Sequence, residues 1–228
     1  MRSLALFILL ITSLYASVVY AGGVGLGVTR MVYSGVVSQS LLDVRNTDTE
    51  SSFLIQSWVE NSQGQRSSDF VITPPLFVLK PEMENAVKVM FNGKQLPQDR
   101  ETLYWITVKA IPQSVKQSST NTLQFASASR IKLFYRPVEL TKKTNNEEWK
   151  SLSGEFHNGK IKIINPTHFY ITTINMKVDG KAVKPIMIPP KDAVILEESF
   201  SHARQISYQT INDYGAWTSE VSLSLTIR

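Results

Sequence analysis

From Leu41 onward, apolar and β-branched residues come in short runs that turn-forming residues interrupt roughly every ten positions. Leu41 to Val44 stops at Asn46, Thr47 and Asp48; Phe53 to Val59 stops at Asn61 through Gly64. Ala86 to Phe91 stops at Asn92 and Gly93, and Leu103 to Ile111 stops at Pro112. Runs this short and this evenly spaced predict an all-β sandwich, and no helical i, i+3, i+4 pattern of useful length competes with them. The run Phe70 to Leu79 contains Pro74 and Pro75. Neither proline has an N–H to give to a ladder, so this run is expected to bend or to lie at an edge, and its cis or trans state stays open.

A longer run extends from Thr122 to Tyr135 and closes at Arg136 and Pro137. Its odd positions read Leu123, Phe125, Ser127, Ser129, Ile131, Leu133 and Tyr135, while its even positions read Thr122, Gln124, Ala126, Ala128, Arg130, Lys132, Phe134 and Arg136. A single strand of about 14 residues would span roughly 46 Å, beyond the usual strand length, and is expected to outrun its own sheet. An overhanging apolar edge calls for a partner strand, the β-augmentation mode of recognition. The alternative on these grounds is that Leu123 and Phe125 fill their own domain's core.

After this run the composition turns polar, from Thr141 to Lys150, and a second β set follows from Ile161 to Ile227 with turns at Asn165 and Pro166, at Asp179 and Gly180, and at Asp213 to Gly215. Two β domains in tandem are therefore expected, 22–140 and 145–228. The first residues are organised differently. Arg2, the apolar run Leu4 to Leu14 and small residues ending at Ala21 have the order of a secretory signal, expected to be cleaved after Ala21; as a membrane anchor the core is barely long enough and no stop-transfer charges follow. The mature protein is then expected outside the cytoplasm and without stable membrane insertion.

The full chain carries 24 Lys and Arg against 19 Asp and Glu, and Arg2 leaves with the leader, so the mature excess is about +4. The basic residues are scattered among acids rather than gathered in a stripe, which argues against nucleic acid as a partner. There is no cysteine, which removes thiol catalysis and Cys-based metal sites. His157, His168 and His202 lie far apart, none with a second ligand at metal spacing, and neither a nucleophile elbow nor a P-loop is present. The alternating glycines of Gly22 to Gly27 lack the preceding buried strand a dinucleotide fingerprint needs. No enzyme and no cofactor are expected.

Seven blocks, in order, resemble the periplasmic pilus chaperones of the PapD type: GVGLGVTRMVY, FLIQSWVEN, FVITPPLF, LPQDRETLYWITVKAIP, NTLQFASASRIKLFYRP, INPT and TINDYG, spanning Gly23 to Gly215. The resemblance implies two immunoglobulin-like domains in an L with a ligand cleft between them. It implies that Arg30 and Lys132 anchor the C-terminal carboxylate of a pilus subunit, a suitable task for two cations in a partly desolvated cleft. It implies a donor strand at about 121–136 whose Leu123, Phe125 and Ser127 face the subunit's open core, where the family usually has a third bulky side chain in place of Ser127. An ionic link between the domains would fall on Glu101, Arg136 and Asp213. The partners implied are pilus subunits in one-to-one complexes and an outer-membrane usher, with no nucleotide consumed. The short Ile111 to Asn121 gap, without a cysteine pair, resembles the family's short-loop branch. The rival reading is a pilus structural subunit or extracellular adhesin, chains that carry a cysteine pair and an N-terminal donor extension.

Overall fold

The computed structural model describes residues 22–113, 125–142 and 147–227. The first domain contains β1 (Val24–Leu26), β2 (Arg30–Ser34), β3 (Ser40–Asn46), β4 (Phe53–Asn61), β5 (Phe70–Thr73), β6 (Leu76–Leu79), β7 (Glu84–Phe91), β8 (Thr102–Pro112) and β9 (Ser127–Arg136). Two sheets result, ordered β1-β3-β7-β5 and β2-β9-β8-β4-β6. β3 shows why: Leu42, Val44 and Asn46 are buried while Leu41, Asp43 and Arg45 face water, the period of a half-buried strand. The inward residues of both sheets, including Tyr33, Val44, Ile55, Val89, Ile106 and Leu133, form one core.

The Phe70–Leu79 run divides at a cis bond between Thr73 and Pro74, leaving β5 on the edge of one sheet and β6 on the edge of the other. The N-terminal segment changes sheets as well: β1 pairs with β3, and β2 crosses over to run parallel to β9. Tyr33 on β2 fixes that crossing, its ring 6.2 Å from Tyr135 of β9 and its hydroxyl donating to the Val37 carbonyl.

A short helix, α1 (Val138–Thr141), leads to the second domain. That domain comprises β10 (Ser153–His157), β11 (Lys160–Asn165), β12 (Ile171–Val178), β13 (Lys181–Ala182), β14 (Met187–Ile188), β15 (Asp192–Ile195), β16 (Gln205–Thr210), β17 (Val221–Ser224) and β18 (Thr226–Ile227). Its sheets are ordered β15-β11-β10-β18 and β13-β12-β16-β17, with β14 on β12, around a core that includes Ile161, Ile163, Met176, Ile188, Ile206 and Tyr208. The last apolar run splits at Leu225, which is buried as the chain passes from β17 in one sheet to β18 in the other. Both domains bury an asparagine to tie loops together. Asn46 donates to the Ser51 and Lys80 carbonyls, and Asn165 to those of Phe169, Ile188 and Pro189.

The single 14-residue strand expected over Thr122 to Tyr135 needs correction. β9 begins at Ser127, where its pairing with Ala110 begins, and Phe125 and Ala126 precede it outside any strand. Leu123 lies outside the described residues. What is left open is a lateral edge rather than an overhanging end. β8 pairs with β9 along Ser127 to Tyr135, but β2 covers its other side only from Lys132 to Arg136. Among the described residues no strand pairs with Ser127–Ile131 on that second side.

Candidate binding site between the domains

Arg30 is the first residue of β2, and the parallel register sets it opposite Lys132 of β9. Residues so paired point to the same face, and on β9 that face is the one away from Ile131 and Leu133, which are buried in the core. Both cations reach across to the second domain. Arg30 Nη1 donates to the Ile211 carbonyl at 2.9 Å, its guanidinium lies 5.8 Å from the Phe134 ring centre, and Lys132 Nζ donates to Thr172 Oγ1 at 2.9 Å. Arg30 is 7% exposed, and its Nε has no hydrogen-bond partner. A buried donor without an acceptor costs about 1–3 kcal/mol and is a standing invitation to an anion.

Electrostatics point the same way. Burial, then the neighbouring charge of Arg30, brings the Lys132 ammonium down to about 8. Burial also lowers Arg30, against the opposing charges of Asp213 and Glu101. The cavity between the domains measures roughly 70 Å³ and is lined by Arg30, Phe134, Arg136, Phe169 and Asp213 among others. That volume admits a carboxylate group.

Glu101, Arg136 and Asp213, the three residues to which the resemblance assigned an ionic link, lie in contact. Arg136 Nε donates to Glu101 Oε1 at 2.8 Å, its two terminal nitrogens grip Asp213 at 2.7 and 3.0 Å, and its guanidinium lies 4.9 Å from the Phe169 ring centre. The second Glu101 oxygen accepts the Tyr170 amide at 2.8 Å. Burial raises the Glu101 carboxyl to about 7 against the pull of Arg136. Burial also opposes the Arg136 charge, but the hydrogen bonds and charges of Asp213 and Glu101 outweigh it and push the guanidinium up. Donors on both Glu101 oxygens make the ionised form the one the geometry supports.

A second tie went unread in the sequence. Asp99 accepts from Lys191 at 3.1 Å and from its neighbour Arg100, while its carbonyl meets the His168 ring and the Glu101 amide donates to the His168 carbonyl. Hydrogen bonds from Arg100 and Lys191 hold the Asp99 carboxyl below its usual range. Its only signal was its place two residues before Glu101. Thr172 gave none. Of the expected donor residues, Phe125 is 77% exposed and Ser127 is exposed at the head of β9.

Family models match nearly all of this architecture: the N-terminal domain of PapD, described as a pili and flagellar-assembly chaperone, over residues 23–141, and the C-terminal domain of the pili assembly chaperone PapD over 147–222. The chain belongs to the PapD family of pilus-assembly chaperones. Among its relatives, Escherichia coli chaperone protein FocC is 43% identical over 203 residues, covering 87% of this chain and 88% of FocC. FimC of E. coli K12 is 40% identical over 202 residues, covering 88% and 83% of the two chains. The periplasmic chaperone SfaE superposes with a TM-score of 0.74 at 41% identity, covering 88% of this chain and 99% of SfaE. The SafB chaperone, solved with the SafA pilin of Salmonella enterica, matches with a TM-score of 0.79 at 29% identity over 91% of this chain and 98% of the matched one. Arg30, Lys132 and the cluster of Glu101, Arg136 and Asp213 lie at the junction of the two domains, and the uncovered β9 edge runs up to it. No helix among the described residues is long and apolar enough to cross a membrane.

Proposed function

We propose that this protein, cleaved after Ala21 and released into the periplasm, captures one pilus subunit at a time by lending it β9, and passes it to an outer-membrane usher without nucleotide. The observation that carries this is the uncovered edge of β9 at Ser127–Ile131, ending where Arg30 and Lys132 stand side by side. β2 already runs parallel to β9 and begins at Arg30. A foreign strand laid along Ser127–Ile131 in the same direction continues the line of β2, and its C-terminal carboxylate arrives at the two cations. Backbone pairing along the edge supplies affinity, and side chains on alternate positions supply specificity.

Phe125, exposed in the free protein, then enters the incomplete core of the subunit with Leu123 and Ser127. A large apolar side chain so transferred contributes about 1.5–3 kcal/mol. Glu101, Arg136 and Asp213 hold the two domains at the angle that keeps the cleft open, with 22–140 and 145–228 as the units they join. The short Ile111 to Asn121 gap supports assignment to the short-loop branch, associated with rod-like pili. The test is Arg30→Ala or Lys132→Ala, followed by periplasmic subunit yield and recovery of one-to-one complexes. Both should collapse; normal yield and normal complexes would show that the anchoring roles are wrong.

A further inference from the structure

The loop from Ile211 to Trp217 carries two of the most exposed aromatic side chains in the described protein, Tyr214 at 92% and Trp217 at 67%. Exposed rings usually sit on mobile segments, but this loop is held at every turn. The Asn212 side-chain oxygen accepts the amides of Tyr214 and Ala216, the Asn212 amide donates to the Ala216 carbonyl, and Gly215 donates back to the Asn212 carbonyl. Asp213 is clamped by Arg136, and Ile211 offers its carbonyl to Arg30. Gly215 has φ +84°, and a Cβ there would lie 2.5 Å from Thr29 Oγ1, so the loop rests directly on the chain just before β2. Its conformational entropy has been lost before any partner arrives, the condition under which an aromatic anchor binds best.

Tyr214 and Asp213 line one side of an open groove whose other side comes from the first domain: Val28, Arg30, Met31, Val32, Ser40 and Leu41. Val28 and Leu41 are themselves 43% and 57% exposed. The groove is thus apolar at its lips, built from both domains, and continuous with the carboxylate cradle through Arg30, which lines both.

We propose that this groove is a second contact for the captured pilus subunit, taking an apolar side chain of the subunit body that lies beside its pinned C-terminus, with Tyr214 as the anchor. The inference rests on the anchoring role assigned to Arg30. That role fixes the occupant, because whatever chain ends at Arg30 brings its own neighbouring surface to the groove. Residues with exposed rings at the centre of such patches, once covered, carry a disproportionate share of binding.

The experiment compares two probes: an intact pilus subunit, and a synthetic peptide of its last fifteen or so residues. Tyr214→Ala and Leu41→Ser, on opposite walls, should each weaken binding of the intact subunit about tenfold to hundredfold and leave the peptide within about twofold. Tyr214→Phe should behave as wild type. Thermal midpoints should stay unchanged, because both side chains are exposed. Equal affinity of all variants for the intact subunit overturns the proposal. So does a loss confined to usher docking, or to dimerisation of the free chaperone, with capture unaffected. Arg30→Ala separates the two levels of the argument: it should lose both probes, and if it loses neither, the anchoring role fails while the Tyr214 comparison still stands as measured.

Discussion

Lys132 makes the cleft a proton-linked binding site, and the linkage can be worked out from its surroundings. In the free protein the ammonium is half-buried, offered only the Thr172 hydroxyl, and faces Arg30; burial first and Arg30 second bring it down from 10.5 to about 8. A subunit carboxylate supplies the missing counter-charge, and pairing of this kind returns an amine to above about 10. Capture should then draw in about half a proton at pH 8, about 0.9 at pH 9 and about 0.1 at pH 7. The sign for the free protein follows from the same shift. Between about 8 and 10.5 the unfolded chain binds more protons than the folded one, so stability rises with pH across that window, falls as pH is lowered from 10.5 to 8, and stays at its lower level below 8, where both states are protonated. The full displacement corresponds to about 3 kcal/mol, nearer 2 once screening at the open end of the side chain is counted. Lys132→Met should therefore stabilise the free chaperone at pH 7 by about 1–2 kcal/mol while abolishing capture. Titration calorimetry with a C-terminal subunit peptide, in buffers of different ionisation enthalpy at pH 7, 8 and 9, reads the proton uptake directly. Uptake near zero at pH 9, or uptake that persists in Lys132→Met, refutes the argument.

Arg136→Ala leaves Glu101 buried without its cation and should cost about 3–5 kcal/mol in urea unfolding, whereas Glu101→Gln, which keeps an acceptor for the Tyr170 amide, should cost less; equal and small losses would mean the link is dispensable. Asn165→Ala strips donors from three carbonyls inside the second domain and should lower stability by about 3 kcal/mol, seen as a shifted unfolding midpoint, with Arg30 and Lys132 untouched. Ser127→Leu should tighten capture of the cognate subunit by restoring a third large donor side chain, worth up to about 2 kcal/mol on burial; unchanged or weaker binding in a titration counts against that role for position 127.

Period-two alternation singled out Ile131, Leu133 and Tyr135 on one face of β9, and all three are buried, because burial selects side-chain chemistry at every second position. The paired prolines marked the place where one run becomes two edge strands, because they cannot donate to a ladder. The motif blocks brought Arg30, Lys132, Glu101, Arg136 and Asp213 to notice, and the fold assembles all five at one junction. The donor run was read less well. Its alternation continued upstream past Ser127, but a side-chain pattern does not say where backbone pairing stops.

The cross-domain partners were out of reach from local sequence. Arg30 finds the Ile211 carbonyl 181 residues away, Lys132 finds Thr172 40 residues away, and Lys191 finds Asp99 92 residues back. Neither a carbonyl nor an ordinary threonine advertises such a role. The uncovered edge of β9 is the plainest case. Side chains leave a strand above and below the sheet, so the sequence records its faces; the backbone donors and acceptors point sideways within the sheet, carry no residue identity, and are paired or left free only when the other strands take their places.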